Sequence, residues 1–152
     1  MLTQTTLHGI FFLLKLKHMQ DQKQAVIVDE ISRSLGVSTT YTKKIVALLA
    51  KKNLVLTKRG AQGGVQLAKD LSEITLLMVV EACQGMVTAD YCTEMPANAL
   101  VCSFHQAMAE LHQSTLQILN RWKLTDFYQI NPNVEFGPHC KMLQLYQTLT
   151  PL

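Results

Sequence analysis

Apolar positions fall along this chain in two rhythms, and the switches between them divide it into elements. From about Thr6 to Met19, Leu7, Ile10, Phe11, Leu14 and His18 lie three and four apart, which predicts a helix with a broad apolar face. Gln20–Gln24 reads as a loop. Val28–Leu35 predicts a short helix with Ile31 and Leu35 as its buried pair. Asp29 and Glu30 sit in its first turn, where the helix dipole favours acids, and Gly36 suits the position just past its end. Ser38 is placed to cap a further helix whose buried stripe would be Tyr41, Ile45, Leu48 and Leu49.

The period then drops to two. Leu54–Thr57 and Val65–Ala68 predict two strands around a turn rich in glycine, Lys58 to Gly64. Helical spacing resumes over Asp70–Gln84, with Ser72 as cap, Glu73 in the first turn, and Leu76, Leu77, Val79, Val80 and Cys83 apolar. Residues 85–100 have the character of a loop. Beyond them Val101, Phe104, Met108, Leu111, Thr115, Ile118 and Trp122 alternate steps of three and four, the rhythm of a helix lying along another helix. The fold class is therefore mainly α. Helix, three-residue turn, helix and then a basic hairpin is the order of a winged helix-turn-helix, whose second helix enters a DNA groove by its N-terminal residues.

Charge sharpens this picture. The chain of 152 residues is only +3, yet between Ile31 and Lys69 it has eight Lys or Arg and no acid, while after Lys69 eight acids face three bases. A polyanion is the natural partner of such a concentrated basic region. The candidate DNA-contacting set is Ser38, Thr39, Thr40, Tyr41, Lys43 and Lys44 on the second helix, with Lys58, Arg59 and Gly60 on the hairpin. Taken alone the helix reads equally as a solvated basic face; the adjoining hairpin tips the balance towards phosphates and base edges.

No run of 18 uncharged apolar residues occurs and no basic segment precedes an apolar one at the start, so the expectation is no membrane span, no signal peptide and a cytoplasmic protein. There Cys83, Cys92, Cys102 and Cys140 would be reduced, and better suited to ligation or redox sensing than to disulfides. Cys102 and His105 stand one turn apart at the start of a helix, whose positive end favours the thiolate form that binds metals. Cys83 reads as a core residue, Cys140 as a surface thiol, His18 as a cation at a helix end and His112 as a solvated or interface residue. No nucleophile–base pair, phosphate loop, metallohydrolase spacing or C-x-x-C is present, so catalysis is not expected.

The segments L-G-V-S-T-T-Y at 35–41 and L-V-x-T-x-R-G-x-x-G-G-V-x-L-A-K at 54–69 resemble the signature of the Rrf-type family of bacterial winged-helix regulators, which includes the IscR, NsrR and CymR regulators. Leu2-Thr3 followed by an apolar helix, and the Ile74–Gly85 segment, fit as well; the match runs over roughly residues 2 to 127. Val65 stands where an aromatic is usual, and the first helix lacks an arginine common in the family and tied to a phosphate contact.

The resemblance implies a homodimeric repressor of palindromic operator DNA. It divides the chain into a winged helix-turn-helix domain (1–84), a cysteine-bearing sensor loop (85–100), a dimerisation helix (101–127) and a tail (128–152) outside the family pattern. In sensor members the loop holds an iron–sulfur cluster through three cysteines and one other ligand. Cys92 matches the first of these, and Cys102-Ser103-Phe104-His105 matches the C-x-x-H end seen in the iron–sulfur assembly regulator. Ala97 and Asn98 occupy the neighbourhood of the missing middle cysteine. His8, from the first helix of a partner subunit, is the candidate fourth ligand; His139, Cys83 and Cys140 have no motif behind them. Mixed Cys/His ligation suits a 2Fe–2S cluster. The alternatives are a thiol switch or zinc at the same residues, or no cofactor and control by a partner protein, as in cluster-free family members.

Overall fold

The computed structural model describes residues 2–22, 26–58, 60, 63–88 and 102–128. Cys92, Arg59 and the tail from residue 129 on, with His139 and Cys140, lie outside the described residues.

Helix α1 (Gln4–Gln20) is the axis of the head. Thr3 caps it, its hydroxyl accepting from the Thr6 amide at 3.2 Å. Ile10, Phe12, Leu13, Leu14 and Leu16 are all buried, so this helix is enclosed on most sides rather than along one stripe. A side chain at Gly9 would meet Cys83 Sγ at 2.9 Å, and its absence lets α1 lie close against the helix that carries Cys83. Cys83 is accordingly a half-buried packing residue, and burial pushes its thiol up to about 11. His18 lies in the last turn of α1. Burial first, and then the charge on Lys15, holds its imidazole below the ordinary range.

Helix α2 (Val28–Leu35) ends on Gly36 at φ 67°, and the Val37 amide closes the turn on the Ser32 carbonyl at 3.1 Å. Helix α3 (Thr39–Lys51) starts at once, with Ser38 accepting from the Tyr41 amide at 3.2 Å. Its buried positions are Thr42, Ile45, Val46 and Leu49, while Tyr41 and Leu48 are only half-buried. The buried face is turned from the expected stripe because Thr42 can go inside: its hydroxyl donates to the Ser38 carbonyl at 3.1 Å, so no polar group is left unpaired.

Asn53 at φ 54° ends α3 and leads into the hairpin of β1 (Val55–Lys58) and β2 (Gly64–Leu67), antiparallel with Val55 opposite Leu67 and Lys58 opposite Gly64. Both strands sit one residue from the expected bounds. Val65 donates to the Val26 carbonyl at 2.9 Å, so the approach to α2 lies along β2. Gly64 is required here, since a Cβ would stand 2.7 Å from that same carbonyl oxygen.

The continuous helix expected over 70–84 is instead a 3-10 turn, Leu71–Glu73, and helix α4 (Leu76–Gln84). Asp70, not Ser72, caps the turn, accepting from the Ser72 amide at 2.9 Å, and Thr75 caps α4. Ile74 between them is extended and meets the far end of the chain. Leu124 donates to the Ile74 carbonyl, and Leu76 donates to the Trp122 carbonyl, each at 2.9 Å. Helix α5 (Ser103–Arg121), capped by Cys102, buries no residue of its own, and the short helix α6 (Leu124–Tyr128) returns to the core through the fully buried Leu124. The architecture is mainly α with a small winged hairpin, in agreement with the sequence reading.

Candidate nucleic-acid interface and sensor end

The surface with the chemistry to meet DNA is built by α3 and the hairpin. The first turns of α3 hold no acid, and Ser38, Thr40, Lys43 and Lys44 are exposed, with Thr39 half-buried. Ser38 spends its side chain on the cap, so it offers the start of the helix rather than a free hydroxyl. On the wing Lys58 ends β1 exposed, and Gly60 at φ 107° is in the turn. Hydroxyls at the helix start and amines about one turn on can reach base edges and phosphates. Lys51 and Lys52, not singled out from sequence, extend the exposed basic surface at the other end of α3.

Tyr41 differs from its neighbours. Its hydroxyl turns towards α1, within 3.1 Å of His8 Nδ1 and donating to Thr5 Oγ1 at 3.4 Å. The His8 ring meets the Tyr41 ring edge-on, centroids 5.5 Å apart. His8, the candidate fourth ligand beside the family's position at Leu7, thus has one nitrogen engaged within the described residues. Local spacing could not show this contact, because its partners are 33 residues apart.

At the opposite end, Cys102 Sγ accepts from the His105 amide at 3.4 Å, placing thiol and imidazole on one turn at the start of α5. Cys102 is exposed, and His105 Nδ1 is buried with no hydrogen-bond partner. A buried, unpartnered imidazole nitrogen beside a thiol is a donor pair suited to a metal. Among the described residues no three His, Cys, Asp or Glu side chains converge on one metal position. Further along α5, Phe104, Leu111 and Ile118 are 64%, 58% and 52% exposed, a row of large apolar side chains repeating every seven residues. Among the described residues no helix is long and apolar enough to cross a membrane.

A winged helix-turn-helix head with a basic second helix, joined to a long helix with a bare apolar row, has the build of a DNA-binding transcriptional regulator. Within that class the chain belongs to the Rrf2 family, described as "Iron-dependent Transcriptional regulator", which matches residues 2–130. It is 31% identical over 113 residues to Protein aau3 of Rhizobium meliloti (strain 1021), covering 72% of this chain and 73% of that protein. Among solved structures it is similar to CymR, the global cysteine regulator of B. subtilis, with 17% identity, a TM-score of 0.68, and coverage of 84% of this chain and 95% of that one. It is likewise similar to T. potens IscR, with 19% identity, a TM-score of 0.68, and coverage of 90% and 93%. At these identities the two structures speak for the fold alone.

Proposed function

We propose that the chain acts as a homodimeric repressor of palindromic operator DNA, with its affinity set by an iron–sulfur cluster at the start of α5. The observation that carries the sensing part is the donor pair: a buried, unpartnered His105 Nδ1 one turn from the exposed Cys102. Cys102 and His105 would hold the group from the helix and Cys92 from the loop, with His8 of a second subunit as the fourth ligand through its free ring nitrogen. Two imidazoles and two thiolates suit a 2Fe–2S cluster. When bound, it supplies a tie sensitive to oxidants, nitric oxide and iron supply.

The chain's own residues do the rest. The bare row Phe104, Leu111 and Ile118 offers a second copy an apolar seam, and a two-fold pair of heads presents two α3 helices to half-sites about 34 Å apart. Because Trp122 and Leu124 are hydrogen-bonded to Leu76 and Ile74, a change at the start of α5 reaches each head as a rotation of one body.

Anaerobic purification with absorption spectroscopy and iron, sulfide and zinc analysis tests the reading. The expected product is coloured, with charge-transfer bands and equal iron and sulfide. Zinc without sulfide, or a colourless metal-free protein with normal DNA affinity, overturns the cluster and leaves a thiol- or partner-controlled regulator.

A further inference from the structure

The hydroxyl of Tyr41 faces away from the surface its neighbours share. Thr40, Lys43 and Lys44 are exposed on α3, whereas Tyr41, in the same first turn, is half-buried and bonded to α1. His8 Nδ1 lies 3.1 Å from the phenol oxygen, and the imidazole tautomer sets which of the two donates. The engaged nitrogen is Nδ1, which leaves Nε2 as the second nitrogen of the ring. The edge-on ring contact adds a packing term.

The α1 end of this contact is itself held. Thr6 Oγ1 donates to Gln84 Oε1 at 2.8 Å and the Thr3 amide donates to the same oxygen at 3.2 Å, pinning the start of α1 to the end of α4. The first turn of α3 is therefore tied to a helix that is anchored at the position facing it. Elsewhere α3 is held mainly by apolar packing through Ile45, Val46 and Leu49, which resists separation more than sliding.

From this we propose that His8, Thr5 and Tyr41 form a clamp that sets the angle at which α3 meets DNA. Tyr41 is a positioning residue acting through α1, and does not itself contact a base or phosphate. The inference rests on the reading of α3 as the groove-entering helix. Breaking the clamp leaves the lysines in place, so attraction to any DNA persists while the fit to the preferred sequence declines.

The test uses the full-length protein, as isolated and after chelator treatment, with a duplex enriched by this protein from a random-sequence pool and an unrelated duplex of equal length. Affinities are read by fluorescence anisotropy well below each variant's melting temperature. In the chelator-treated protein, Tyr41→Phe and His8→Leu should each lower the ratio of affinities for the enriched over the unrelated duplex by about three- to ten-fold, the range of one lost hydrogen bond. The double variant should lose no more than either single one, because both remove the same interaction. His8→Asn, whose amide keeps a hydrogen-bonding group near the Nδ1 position, should restore most of the preference.

Additive losses would show that Tyr41 touches DNA on its own, and unchanged preference in Tyr41→Phe would show that the clamp does nothing; either overturns the proposal. A His8 effect that vanishes after chelation also overturns it, by assigning His8 to the metal alone. If Lys43→Ala and Lys44→Ala leave the salt dependence of binding unaltered, the site itself is misplaced, and the failure belongs to that reading.

Discussion

The amide of Leu76 donates to the carbonyl of Trp122 across 2.9 Å, joining the first residue of α4 to the residue that ends α5. With the neighbouring Leu124–Ile74 bond it forms a short stitch between the DNA head and the long helix. Leu124 lies fully buried beneath this stitch. Leu124→Ala should destabilise the protein by about 2–5 kcal/mol, the usual cost of emptying such a site. Urea unfolding followed by circular dichroism would show a lower midpoint, and an unchanged midpoint would remove the stitch from the account.

The wing depends on one missing side chain. Gly64→Ala places a methyl group 2.7 Å from the Val26 carbonyl oxygen, which belongs to backbone and cannot swing aside. The expected cost is about 1–3 kcal/mol, as for other overpacked sites. Thermal melting would register it, whereas Gly60→Ala, with open space around it but φ 107°, tests conformation without a clash.

Lys43 and Lys44 are exposed on α3 without an acid nearby in sequence. Replacing either by alanine should weaken binding to all duplexes alike and reduce the slope of log affinity against log salt by about one. Titrations at four or five salt concentrations measure this directly; unchanged slopes in both variants would exclude phosphate contacts there.

The row on α5 makes the oligomer testable. Leu111→Asp places a charge at the centre of the row formed with Phe104 and Ile118. Because Leu111 is exposed within its own chain, the head should stay folded while the sedimenting mass falls to that of one subunit. A variant that remains dimeric would move the interface elsewhere.

Cys83 has its thiol pushed up to about 11 from an ordinary 9.0 by burial. Folding thus disfavours its ionisation, so the stabilising contribution is complete below pH 9, and declines as pH rises towards 11 and the unfolded chain ionises first. Cys83→Ala should flatten that part of the stability profile. In the native protein, iodoacetamide should label the exposed Cys102 well before Cys83, as peptide mass mapping would show.

Much of this was legible in the sequence because the signals are local. Val28–Leu35 matches α2 residue for residue, and the Gly36 turn and Ser38 cap are where side-chain chemistry demands them. The errors have a common origin in distance along the chain. The break at Ile74 and Thr75 exists to receive Trp122 and Leu124, and the tie of Tyr41 to His8 joins residues no helical period relates. Thr42 was passed over because its burial depends on a bond to Ser38 that hydropathy does not register. The pairing of Cys102 with His105 followed from spacing; the isolation of His105 Nδ1 required the packed structure.

The bond from Val65 to Val26 occupies the outer side of β2, which leaves β1, among the described residues, as the unpaired rim of the hairpin. An open rim invites a strand from another molecule to add to it. Here it is four residues long and ends in the charged Lys58. The charge of Lys58 at that edge therefore guards the protein against sticking to itself, and neutralising it would cost solubility.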